Sequence, residues 1–248
     1  MSGMGPPANA AVRGTMKVIK FDPTEGQFEK RSDIDAAKRR QESARYYGVK
    51  RMRQMIMQVH MLASVDVERV LEIGPYYGFT TALLDNAGFE VTTADLNEEP
   101  AFWTPNRPHF QMNVAEPDVE AMKGFDAILC CATLEHVQFE QAAAAMKAFR
   151  EADPKYALVS VPYRSWQIFG ELFANGHMFH HKFWWRKFTA LETFKEHEDP
   201  LGHKWEVGYK GYPLKRVEKA FIEDAGWKLV KRDFSYPACV VFWLLERA

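Results

Sequence analysis

The chain has 248 residues, and its 32 Lys+Arg against 33 Asp+Glu leave a formal net charge of −1, so no global charge excess draws it to nucleic acid or to a membrane surface. With 47% hydrophobic, 14% aromatic and 26% charged residues it is not a disordered chain, and this length suffices for one core that buries roughly 70–75% of the unfolded surface. Three cysteines, two of them adjacent in an apolar run (Cys130 and Cys131), are too few for a disulfide scaffold and fit reduced thiols. No run of about 18 apolar residues offers a membrane span, and the first residues lack the apolar core of a secretory signal, so a soluble, cytoplasmic protein is expected.

Residues 1–15, rich in Gly, Pro and Ala without periodicity, read as a mobile tail. Residues 16–66 read as a helical cap: Ser32-Asp33-Ile34-Asp35 has capping-box spacing, and Val49, Met52, Ile56, Val59 and Ala63 recur at helical intervals. From Val67 short apolar runs alternate with helical segments, the signature of a parallel sheet covered on both faces. Strands are predicted at Arg69–Ile73, Glu90–Ala94, Phe110–Asn113, Asp126–Cys131 and Tyr156–Val161, with helices over Thr80–Ala87 and Gln138–Ala152. After a lapse, Leu214, Val217, Phe221 and Ala225 mark a further helix. Trp227–Arg232 and Cys239–Leu245, separated by a short turn containing Pro237, then read as an antiparallel pair. The fold expected for residues 67–248 is a doubly wound, mostly parallel seven-stranded α/β sheet with an antiparallel last strand. N-terminal helices precede it, and a helical or loop lid is inserted after the fifth strand, over residues 163–211.

The stretch VLEIGPYYGFTTALL reads strand, glycine-containing turn, helix, a geometry in which backbone N–H groups and a helix N-terminus approach a ligand. The dinucleotide fingerprint fails, because Tyr76 and Phe79 stand where its second and third glycines belong, and no Gly-Lys-Ser/Thr follows for a phosphate loop. What the stretch resembles is the first motif of the class I S-adenosylmethionine-dependent methyltransferases, an acidic residue ending the strand and then Gly-x-Gly-x-Gly. Glu72, Gly74 and Gly78 match it, and Tyr76 replaces the middle glycine. Asp95, ending the second strand, is similar to the family's ribose-binding acid. Asn113 lies near its adenine-contacting position, and FDAILCCATLEHV resembles its fourth strand and following turn. GHKWEVGYKGYPLKRVEKAFIEDAGWKLV looks like the stretch of small-molecule methyltransferases in which a His-containing loop precedes a helix ending in Ala-Gly-aromatic. The resemblance implies S-adenosylmethionine as cofactor, bordered by Glu72, Gly74, Tyr76, Gly78, Asp95, Leu96, Asn113, Val114 and Cys131. The Tyr76 ring is expected to pack against the sheet edge, and Phe79 to enter the core.

Residues 163–211 contain five of the eight histidines and four of the seven tryptophans, while their charges nearly cancel. An insertion leaving the carboxyl end of the fifth strand caps the ligand crevice of such a sheet. Methyl transfer needs alignment and water exclusion, and an oxygen nucleophile also needs a group that removes its proton. His203, in Gly-His-Lys-Trp-Glu, is the first candidate, with Glu206 as its orienting partner and His136 as the rival. The cluster His177, His180 and His181 has no cysteine beside it and adjacent rings that need not face one point, so no metal is expected. The leading reading is an O-methyltransferase acting on a small molecule or glycan. A nucleic-acid methyltransferase is the alternative that Lys38, Arg39, Arg40, Arg45, Lys50, Arg51 and Arg53 would support, but the Asn/Asp-Pro-Pro-aromatic motif of base-amino enzymes is replaced by Cys131-Ala132-Thr133-Leu134. A non-catalytic S-adenosylmethionine-binding module is the third reading, motivated by Tyr76.

Overall fold

The computed structural model describes residues 37, 40–41, 43–44, 47–174, 179–189, 192–236 and 238–248, with backbone alone for most of 169–189. Seven strands form the main sheet: β1 (Arg69–Ile73), β2 (Glu90–Asp95), β3 (His109–Gln111), β4 (Ala127–Cys131), β5 (Tyr156–Pro162), β8 (Trp227–Phe234) and β9 (Val240–Arg247). β6 (Ser165–Ala174) and β7 (Phe179–Thr189) make a separate two-stranded ribbon. The main sheet runs β3-β2-β1-β4-β5-β9-β8. Pairs among the first five strands are parallel, and β9 pairs antiparallel with both β5 and β8. The expected mostly parallel seven-stranded sheet with an antiparallel last strand is therefore present.

The central strands are apolar without alternation because both faces are buried. Leu71, Ile73, Ile128, Cys130, Ala157 and Val159 pack on one face with helix α3 (Phe139–Glu151), while Val70, Val91, Ala127, Leu129 and Leu158 pack on the other with Met61, Leu62 and Leu84. Met61 and Leu62 end helix α1 (Val49–Leu62), and Leu84 lies in helix α2 (Phe79–Asn86). The predicted stripe of α1 is not its buried face: Val49 and Ile56 are exposed, and Met55, Gln58, Met61 and Leu62 are buried. Apolar residues lie on both sides of this helix, so periodicity alone does not choose between them. Ser32 and its capping box, and Pro237, lie outside the described residues.

The last predicted helix begins as α4 (Leu214–Glu218) and widens into a π-helical turn over Lys219–Glu223, which brings Phe221 and Ile222 both into the interior. The lid differs more. Where a helix or loop was expected, residues 165–189 contain the β6–β7 ribbon, in which exposed Trp166 and Ile168 flank Gln167, turned toward the body, at the strand period of two. Trp166, Ile168, Leu172 and Phe183 are exposed, and the Gln167 amide ties the ribbon to the body through the backbone of Ala238.

Candidate active site

In this sheet the direction of strand addition reverses between β1 and β4, and ligand crevices of open α/β sheets open outside the carboxyl ends at such a switch point. The Gly74–Gly78 turn follows β1 there, and the single-turn helix Leu134–His136 follows β4. Gly74 (φ +72) and Gly78 (φ +86) both occupy the left-handed region. A Cβ on Gly74 would strike the Thr133 side chain, and one on Gly78 would lie 2.7 Å from Ala101 Cβ, so both glycines answer to close packing as well as to conformation. Thr133 thereby joins the two turns across the switch point, its Oγ1 donating to the carbonyls of Cys131 and Ile73.

Glu72 is buried and accepts a 2.6 Å hydrogen bond from Thr81 Oγ1. Burial pushes its carboxyl up to about 7 against the hydrogen bond from Thr81, and the nearby Asp95 charge adds to the rise. Asp95 ends β2 beside it, and its Oδ1 accepts the backbone N–H of Asn97 at 3.1 Å. Val114 is buried, Asn113 and Leu96 are exposed, and Asn113 Oδ1 caps the N–H of Ala115. Cys131 is half-buried, and burial pushes both neighbouring thiols far above the ordinary cysteine range, which keeps them protonated.

Tyr76 sits at φ +54, a left-handed conformation unusual for a ring-bearing residue, and its ring lies 4.1 Å from that of Tyr77. Phe79 is in a buried cluster with Tyr77 and Met55, as expected. Tyr76→Gly should relax the left-handed strain of about 1 kcal/mol while forfeiting ring packing of similar size, leaving stability nearly level. Cofactor affinity should hold or rise, as a titration of the variant would read. A loss above about tenfold would place the ring against the ligand instead.

The second half of the site descends from the segment after the ribbon. Val207 bridges to Tyr163 at the end of β5, and the Lys204 N–H donates to the Glu135 carbonyl at 2.7 Å. Trp205, fully buried, donates to the Val137 carbonyl and packs on Phe139. These contacts seat His203 against the turn after β4, with its ring 4.9 Å from that of His136. Nδ1 of His203 lies 2.8 Å from Glu206 Oε1 and 3.8 Å from Asp199 Oδ2. Burial pulls the His203 ring down, but the Glu206 hydrogen bond and the charges of Glu135 and Asp199 outweigh it and leave the pKa above the ordinary imidazole value. His136 goes the other way, to about 4, through burial and the neighbouring His203. Glu135 is pushed up to about 7 by burial, opposed by His203 and reinforced by Glu206 and Asp199.

The structure places His203, its proposed partner Glu206 and the rival candidate His136 side by side, together with Glu135 and Asp199, which the sequence reading did not single out. Asp199 carried a signal, lying four residues before His203, and Glu135 adjoins His136 in the quoted turn. Both the Glu135–His136–His203 and the Asp199–His203–Glu206 groups have donor atoms within 4.8 Å of one another, close enough for a cation. Of the histidines weighed for metal, His177 lies outside the described residues, and for His180 and His181 only the backbone, within β7, is described.

A family model described as a methyltransferase domain matches residues 37–198. The chain is a member of that methyltransferase family. The methyltransferase has no match among curated protein sequences. Its fold is similar to an S-adenosylmethionine-dependent methyltransferase from Clostridium acetobutylicum, at TM-score 0.54 and 9% identity over 85% of this chain and 99% of that one. It is also similar to the methyltransferase domain of bacterial CtHen1, at TM-score 0.51 and 17% identity over 78% and 97%. The magnesium protoporphyrin IX methyltransferase ChlM from Synechocystis, solved with bound SAM, superposes at TM-score 0.51 and 12% identity over 81% of both chains. Among the methyltransferase's described residues, no helix is long and apolar enough to cross a membrane.

Proposed function

We propose that this methyltransferase moves a methyl group from S-adenosylmethionine to a hydroxyl oxygen of a small molecule or glycan. The observation that carries the reading is the buried His203, hydrogen-bonded to half-buried Glu206 and neighboured by His136, at the turn after β4 whose Thr133 packs on Gly74. The residues present fit the cofactor: two glycines with positive φ shape the turn, and carboxylates end β1 and β2. Asp95 would accept hydrogen bonds from the ribose hydroxyls, Glu72 would face the positive end of the methionine moiety, and Leu96, Asn113, Val114 and Cys131 would border the remainder. When bound, S-adenosylmethionine supplies a methyl carbon already activated by its sulfonium.

The chain's remaining work is to align the acceptor oxygen and ionise it. His203 activates the hydroxyl, and Glu206 holds the ring through Nδ1 so that Nε2 is left for that task. His136, whose pKa of about 4 keeps it neutral near pH 7, adds a second uncharged nitrogen. The nucleic-acid alternative draws no support from Arg53, whose guanidinium lies 4.9 Å over the Tyr236 ring within this chain. Incubating the protein with methyl-labelled S-adenosylmethionine and panels of sugars, phenols and amines tests the reading. Label in an alkali-stable methyl ether supports it, and label in an amine contradicts the choice of oxygen.

A further inference from the structure

Glu135 and His203 each have one polar group engaged and another left over, and His136 lies beside both. Nδ1 of His203 is held by Glu206, and the His136 ring lies 4.9 Å from the His203 ring. An imidazole with one nitrogen fixed on an oxygen acceptor presents the lone pair of the other, as metal-ligating histidines do. Glu135 is 1% exposed, and its Oε2 is buried without a hydrogen-bond partner, a costly position for a carboxylate oxygen unless a cation faces it. The three residues converge with donor atoms within 4.8 Å of one another, and the Lys204 N–H to Glu135 carbonyl bond clamps the two segments that supply them. Asp199 braces the same loop, its Oδ2 accepting the N–H groups of Leu201 and His203.

We infer that Glu135, His136 and His203 bind one divalent transition-metal ion, with Glu206 orienting His203 as ligand. Two imidazole nitrogens and one carboxylate suit zinc or manganese(II) better than magnesium or calcium, which favour all-oxygen sites. Three protein ligands leave coordination positions open for an oxygen from the acceptor. This rests on the proposed function and specifies how His203 activates the hydroxyl: the ion lowers the pKa of a hydroxyl bound to it. The O–H proton passes to water, the resulting oxyanion forms the new O–C bond, and the S–C electron pair stays on sulfur as the neutral thioether.

The test uses chelator-stripped full-length protein, free of cofactor and acceptor. It is titrated with Mn²⁺, read by loss of the free-ion resonance signal, and with Zn²⁺ against a chromophoric chelator. About one ion per chain is expected for at least one of the two metals, with affinity at least about tenfold weaker in both Glu135→Gln and His136→Asn. S-adenosylhomocysteine affinity, measured in parallel, should not follow those substitutions. Failure of both metals to bind, or binding unchanged in either folded variant, overturns the inference. Methyl transfer that continues undiminished in excess chelator would also overturn it while leaving the proposed function intact. Metal binding without any binding of S-adenosylhomocysteine would instead remove the proposed function and keep the site.

Discussion

Replacing His203 by alanine is expected to lower acceptor turnover by about 10²–10⁴-fold, the usual loss when the group that activates a nucleophile is removed. Affinity for S-adenosylhomocysteine should stay nearly unchanged, because the residue reaches the site on the segment after the ribbon and not from the glycine turn or the end of β2. A loss confined to turnover marks an interaction made with the reacting oxygen, whereas a parallel loss of cofactor affinity would mean that the substitution has disturbed the turn after β4. His203→Gln separates shape from chemistry. Its amide can keep one hydrogen bond to Glu206 but is neither a base nor a good metal ligand near neutral pH. Wild-type turnover in the glutamine variant would reduce His203 to a positioning residue and move the role to His136. Substitutions silent at both positions would mean that the reaction runs by alignment alone.

Asp95→Ala is expected to weaken S-adenosylmethionine binding by roughly ten- to a hundredfold, about 1.4–2.8 kcal/mol, through lost charge-assisted hydrogen bonds to the ribose diol. The carboxylate ends β2 next to β1, where its Oδ1 also fixes the Asn97 N–H, so a calorimetric titration should be paired with a check that the variant is folded. Unchanged affinity in a folded variant would mean that another group holds the diol. The cofactor assignments of Leu96 and Asn113 would then fall with it.

The sheet was legible because strands buried on both faces leave continuous apolar runs, and Ala127–Cys130 and Ala157–Val159 stand out on that ground alone. Gly74 and Gly78 were legible for a related reason: a close approach and a positive φ leave few alternatives to glycine. The ribbon was missed although Asn175-Gly176 separates its strands in the sequence, a pair that often joins hairpin strands. The density of His and Trp in that segment drew the reading toward a ligand lid and away from its period of two. β3 was placed one residue late at its start because a three-residue edge strand carries almost no pattern. His203, Glu206 and His136 were singled out through residue types and local spacing. Their meeting with the orphaned Glu135 oxygen depends on the β5 bridge at Val207, a contact between distant segments that no local pattern encodes.

Calorimetric titration of the purified chain with S-adenosylhomocysteine, and in parallel with NAD⁺, tests the central claim most directly. The account predicts saturable binding of S-adenosylhomocysteine at about one site per chain and no binding of NAD⁺, since Tyr76 and Phe79 stand where the dinucleotide fingerprint needs glycine. Saturable binding of NAD⁺ without S-adenosylhomocysteine would contradict it.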